Sequence, residues 1–256
     1  MLDGIETGYE GKFDFPPAGA AAPERSYLLA AIPRTGSTWL SHLLWRTGCL
    51  GAPLEYLNFE PSGPFGFAAN SPDVQLRLWR SLLFRRTSPN RVFGLKAFPT
   101  QLEALVETNP PLLASVLETV LPRGRDRKIL YLRRRDRDRH LVSYARALTS
   151  GVWRKEQEAA HPARAEYSDE VVASAERLID LQEGIWERMF ADLGTEPLRL
   201  FYEDVVAAPD EAVEQAAAFL GVELDPGAAF EVPEIVRQSE SDAALWASRV
   251  AARRGG

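Results

Sequence analysis

Cysteine and histidine are nearly absent from this 256-residue chain. Its one cysteine, Cys49, excludes an internal disulfide framework and any Cys-rich zinc site. The three histidines, His42, His140 and His161, lack metal-ligand spacing, so no metal is expected. No apolar run approaches the roughly 20 residues needed to span a bilayer, so stable membrane insertion is not expected. The N-terminus carries no basic-then-apolar leader pattern. The cytoplasm, a reducing compartment, is therefore the expected location. Positive charge is in deficit: 30 Lys and Arg stand against 36 Asp and Glu, a net charge of −6. That balance argues against nucleic-acid binding by the whole molecule.

What is present suits a globular α/β protein, with 45% hydrophobic and 26% charged residues. Residues 1–25, rich in Gly, Pro and Ala, read as a flexible N-terminal arm, and 26–256 as one domain. Tyr27–Ile32 is a short apolar run closed by Pro33 and Gly36, which predicts a buried parallel strand. Trp39, Leu40, Leu43 and Leu44 then recur at helical spacing, with Ser37 or Thr38 as N-cap and Gly48 as the stop. Residues 51–72 read as loop and 73–86 as helix. Arg91–Ala97, Lys128–Leu132 and Pro197–Tyr202 read as further strands. Helical patterns cover 101–121 (interrupted at Pro110-Pro111), 137–150, 168–193, 209–221 and about 243–252. Strands alternating with helices predict a three-layer, P-loop-like fold, a central parallel sheet flanked by helices. The loops after Ile32, Ala97, Leu132 and Tyr202 should then converge on one crevice.

Two segments have the chemistry of anion binding. Ile32-Pro33-Arg34-Thr35-Gly36-Ser37-Thr38-Trp39 sits where a phosphate-binding loop would sit. Gly36 permits close backbone approach, and the helix start offers unpaired N–H groups and a positive dipole end. Ser37 and Thr38 add hydroxyls, and Arg34 adds a forked cation. A plain helix start after a buried strand has the same look. The Walker lysine is replaced by Ser37, which disfavours ATP or GTP hydrolysis. The other segment runs from Pro122 to Lys155, where twelve basic residues face three acidic ones. Such a local excess fits an anionic ligand or a solvated basic face.

Pro33-Arg34-Thr35-Gly36-Ser37-Thr38-Trp39 after an apolar strand resembles the 5′-phosphosulfate loop of sulfotransferases. Leu132-Arg133-Arg134-Arg135-Asp136 followed by Val142-Ser143-Tyr144-Ala145-Arg146 is similar to their 3′-phosphate motif. Further segments resemble the bacterial trehalose 2-sulfotransferase family in order and spacing: Thr47 to Glu55, Gly94-Leu95-Lys96, Val152-Trp153-Arg154, and Arg237-Gln238 with Trp246. The resemblance spans about residues 26–250. It implies the sulfotransferase fold and a PAPS-dependent enzyme. PAPS, 3′-phosphoadenosine-5′-phosphosulfate, would be the sulfate donor and 3′,5′-ADP the product. It also implies a homodimer.

On that resemblance Arg34, Thr35, Gly36, Ser37, Thr38 and Trp39 would hold the phosphosulfate. Ser143 and an arginine would hold the 3′-phosphate. Matching on Asp136 and Ser143 selects Arg134, whereas the general spacing of eight before Ser143 selects Arg135. Arg237 would lie beside the nucleotide. Glu55 corresponds to the family's base, among the apolar neighbours Leu54, Tyr56 and Leu57, where partial burial would favour that role. His140 is a rival, but its place within the 3′-phosphate motif points to a structural or nucleotide-side role instead. Arg34 and Lys96 would stabilise developing charge, although a strand-end lysine in solvent is an equal reading of Lys96. Tyr56, Phe59, Phe65 and Phe67 offer rings for a sugar or an alkyl chain. The acceptor would be a hydroxyl of a carbohydrate, glycolipid or other small molecule. Two other classes compete: a P-loop-like kinase, and a non-catalytic anion- or nucleic-acid-binding protein.

Overall fold

The computed structural model describes residues 7–16, 22–124, 126–153, 166–235 and 243–254. Four parallel strands form the sheet in the order β2-β1-β3-β4: β1 (Arg25–Ala30), β2 (Val92–Ala97), β3 (Lys128–Arg133) and β4 (Leu198–Phe201). Arg25 pairs with Val92, Tyr27 with Lys128, and Leu130 with Leu198. The helices are α1 (Ser37–Arg46), α2 (Pro72–Arg85), α3 (Pro99–Thr108), α4 (Pro110–Val120), α5 (Arg137–Ser150), α6 (Asp169–Leu193), α7 (Tyr202–Ala207), α8 (Pro209–Leu220) and α9 (Ala243–Arg254).

The two-residue period of the strands divides the core. Leu28, Ala30, Ile129 and Tyr131 point into one cluster with side chains of α2 to α6 and α9. Tyr27, Leu29, Leu130 and Leu132 point into another with Leu40 and Leu44 of α1 and Val213, Ala216 and Leu220 of α8. The sheet is thus covered on both faces, and apolar side chains on both sides explain the unbroken apolar runs of β1 and β3. Pro110 ends one helix and starts the next, and the Asn109 side chain accepts from the Leu112 N–H, 3.2 Å away.

Two features differ from the sequence expectation. The fourth strand stops at Phe201, and Tyr202 opens the short helix α7. Residues 7–16, within the expected arm, are packed rather than loose. Phe13 and Phe15 are buried in the larger cluster. Arg86, fully buried, donates to the carbonyls of Gly8, Glu10 and Phe13 and pairs with Asp14 at 3.0 Å. A composition rich in small residues concealed three aromatic anchors, Tyr9, Phe13 and Phe15.

Candidate active site

After β1 the chain turns sharply at Arg34 and Gly36, which have φ of 71° and 82°. The left-handed conformation at Arg34 is costly for a residue with a side chain. Thr35 Oγ1 donates to the Ile32 carbonyl at 2.9 Å and folds the loop back on itself. Gly36, and not Ser37 or Thr38, is the N-cap of α1, and it brings no side-chain acceptor to the first turn. The first-turn N–H groups are therefore not capped by a side chain. A Cβ at Gly36 would lie 2.2 Å from the Tyr202 ring, so the ring stands directly against the loop. Ser37 is buried, Thr38 is half-buried, and Trp39 packs half-buried on the α8-side core.

On one flank of this loop lies an ionic chain. Leu54 bridges to Leu95, and the Lys96 N–H donates to the Leu54 carbonyl at 3.1 Å. The segment 52–56 thereby lies along β2 and sets Glu55 beside Lys96. The Lys96 Nζ is 2.8 Å from Glu55 Oε1 and 3.1 Å from Thr38 Oγ1. Glu55 Oε2 accepts from Asn58 Nδ2 at 3.3 Å and Gln101 Nε2 at 3.4 Å. Lys96 is 1% exposed and Glu55 8%. The solvent-exposed reading of Lys96 is overturned: the pairing of 52–56 with β2 roofs it over. Buried charges of this kind hold together only when paired, because a lone one costs several kcal/mol.

On the other flank the 3′-phosphate-type segment meets the loop. Arg34 Nε donates to Ser143 Oγ on α5 at 3.0 Å, and Arg34 Nη1 donates to the Trp153 carbonyl at 2.6 Å. Motifs 109 residues apart in sequence are thus brought to one place. The three arginines after β3 diverge. Arg133 pairs with Glu183 at 3.0 Å. Arg134 is half-buried with its guanidinium 5.0 Å from the Tyr202 ring centroid, the same ring that stands on Gly36. Burial lowers its pKa, an effect opposed by Tyr202 and Glu203. Arg135 is exposed and forks onto Asp204 at 2.9 and 2.7 Å. His140, buried, sits under the loop with Nε2 2.9 Å from the Pro33 carbonyl.

Other expected residues fall elsewhere. Tyr56 and Phe65 are buried in the core, Phe59 packs against it, and of the four rings only Phe67 is well exposed, at 71%. Trp246 is a core residue at 2% exposure. Arg237 lies outside the described residues. Sequence reasoning missed Tyr202, Tyr9, Asn58 and Gln101. Tyr202 had one signal, its position immediately after the fourth strand, where sheet loops converge.

The Stf0 sulphotransferase family model matches residues 26–253. The chain is 28% identical to a trehalose 2-sulfotransferase of Mycolicibacterium smegmatis, over 88% of this chain and 93% of that one. It is 27% identical to a trehalose 2-sulfotransferase of Mycobacterium tuberculosis, over 88% and 94%. The sulfotransferase domain of the Synechococcus PCC 7002 olefin synthase superposes with a TM-score of 0.39 at 15% identity, covering 93% of this chain and 98% of that one. With nearly the whole chain matched by the family model, this protein belongs to the Stf0 sulfotransferase family.

Proposed function

We propose that the protein transfers a sulfuryl group from PAPS to a hydroxyl of a carbohydrate, with Glu55 as general base. The names of two relatives support a carbohydrate acceptor. One observation carries the rest: Lys96 joins the Glu55 carboxylate to Thr38 at the start of α1, so base, cation and anion-type loop form one bonded unit.

The residues fit the donor in their chemistry. Loop N–H groups, the hydroxyls of Thr38 and Ser143, and the cations Arg34, Arg134 and Lys96 are the donors that an oxyanion requires. When bound, PAPS supplies a sulfuryl group on a phosphosulfate linkage whose leaving group is 3′,5′-ADP. Glu55 accepts the proton of the acceptor hydroxyl, raising its nucleophilicity as its bond to sulfur forms. Lys96 and the first-turn N–H groups of α1 oppose the negative charge that gathers in the transition state. Arg34 and Arg134, with Ser143, hold the nucleotide side.

Glu55→Gln tests the reading, because it keeps the size of the side chain and removes the base. Turnover is expected to fall at least about 100-fold, the scale of a lost general base. Affinity for 3′,5′-ADP, measured by calorimetry, should stay within about threefold and certifies that the variant is folded. Near-normal turnover moves the base role to another residue.

A further inference from the structure

The family match starts at residue 26, yet residues 7–16 reach the candidate base. The Glu55 N–H donates to the Tyr9 hydroxyl at 3.1 Å. The Tyr9 ring is wedged edge-on against Tyr56 and Phe65, with centroids 6.4 and 5.3 Å apart, so its hydroxyl is held in place. The segment around it is anchored in turn. Glu10 accepts from the Thr7 N–H and hydroxyl at 2.9 and 3.0 Å. Arg86 collects three carbonyls from Gly8 to Phe13 and pairs with Asp14, which also pairs with Arg85. Phe13 packs on Trp45 and Phe15 on Phe230. The Arg86 carbonyl accepts from the Ala52 N–H at 3.2 Å, so the same arginine ties down the strand-like segment that leads to Glu55.

We infer that residues 7–16 are a built-in brace for the active-site glutamate and that Tyr9 is a positioning residue, acting on Glu55 through its backbone N–H. The inference rests on the reading of Glu55 as base. Glu55 lies in an irregular stretch whose one bridge to the sheet is at Leu54, one residue earlier. A base must be held to within a fraction of an ångström to act well. The Tyr9 hydroxyl supplies that fixed point. The carboxylate contacts from Asn58, Gln101 and Lys96 then orient a side chain whose root is already set.

Tyr9→Phe in the whole 256-residue chain tests this, since the ring keeps its packing and only the hydroxyl is lost. Release of 3′,5′-ADP from PAPS is followed with trehalose as acceptor and with water alone. Amide exchange of a peptide spanning 52–58 is measured beside it. The expected result is a five- to tenfold lower kcat at unchanged KM for PAPS, the scale of one lost hydrogen bond. Exchange at 52–58 should be faster by a similar factor, while 3′,5′-ADP affinity and Tm stay at wild-type values. In the Glu55→Gln background the same change should have no further effect on turnover. Wild-type exchange at 52–58 overturns the proposal, and so does a loss of turnover that merely tracks a fall in Tm. If Glu55→Gln is nearly inactive while Tyr9→Phe is normal, the base stands and the brace falls. If Glu55→Gln is normal, the base reading itself fails.

Discussion

His140 shows how one side chain can serve a site without touching the chemistry. The Pro33 carbonyl can only accept, so Nε2 carries the proton and donates to it. The ring is stacked on Tyr144 with an interplanar angle of 12°. Burial drives its pKa down to about 4, and the cations Arg134, Arg137 and Arg34 push the same way, against the Pro33 bond. In the unfolded chain the group returns to about 6.5. Between those values the unfolded state takes up a proton that the folded state refuses. Stability from this group is therefore complete above pH 6.5 and is lost as pH falls toward 4, by up to roughly 3 kcal/mol. Melting curves between pH 4 and 7 should show a steeper acid loss in the wild type than in His140→Asn. Parallel curves would mean that the folded ring takes up protons freely. The same residue illustrates what the sequence conveys. As a rival base, His140 stood out by residue type alone, and its burial depends on how α5 packs under the loop. Glu55 came forward only through the family resemblance, since its residue type and position alone favoured an ordinary surface glutamate. Its partner Lys96 was legible only as one of two equal readings, because a strand-end lysine ordinarily points to water.

At the scale of elements, the turn between β3 and α5 separates two arginines that spacing left equal. Two matching rules selected Arg134 and Arg135 equally. Alternation along the strand holds only to Arg133, and the turn then sends the next two side chains apart. Arg134 goes to the Tyr202 ring beside the loop, and Arg135 to Asp204 on the exposed side of α7. α7 was itself unforeseen, since Tyr202 read as the end of a strand, and so the carboxylate that occupies Arg135 could not be anticipated. Arg134→Ala is expected to weaken 3′,5′-ADP binding about 10- to 100-fold, the range of a charge-assisted contact. Arg135→Ala should leave it within about twofold, because an exposed pair contributes little. Calorimetry on both variants decides, and equal losses would return the turn to an open question. The first three strands were readable because they are largely buried on both faces and so rich in consecutive apolar residues. The packed stretch 7–16 was not, because its anchoring depends on Arg86, over 70 residues away.

Across the whole molecule, the basic strip between Pro122 and Lys155 raises the question of nucleic-acid binding. Its charge excess is plain in the sequence, but several of its partners are not, since they come from distant segments. Glu183 on α6 takes Arg133 and Arg137, 50 residues from the former. Asp180 takes Arg137, and Asp204 takes Arg135 from 69 residues away. Asp126 pairs with Lys128 and Asp136 with Arg139. Arg127 caps the Leu193 carbonyl at the end of α6, and Arg34 with Ser143 turns part of the strip inward. Among the described residues the strip is therefore largely neutralised in place, on a chain whose net charge is −6. Phosphate-backbone binding needs several unpaired cations on one face and weakens steeply with salt. Fluorescence anisotropy with a labelled duplex at about 50 mM salt should show no binding tighter than about 100 μM, the weak end of non-specific association. A micromolar Kd that falls steeply toward 200 mM salt would show that these pairs open to phosphate. The strip would then be a surface in its own right, and the internal pairing would no longer account for its charge.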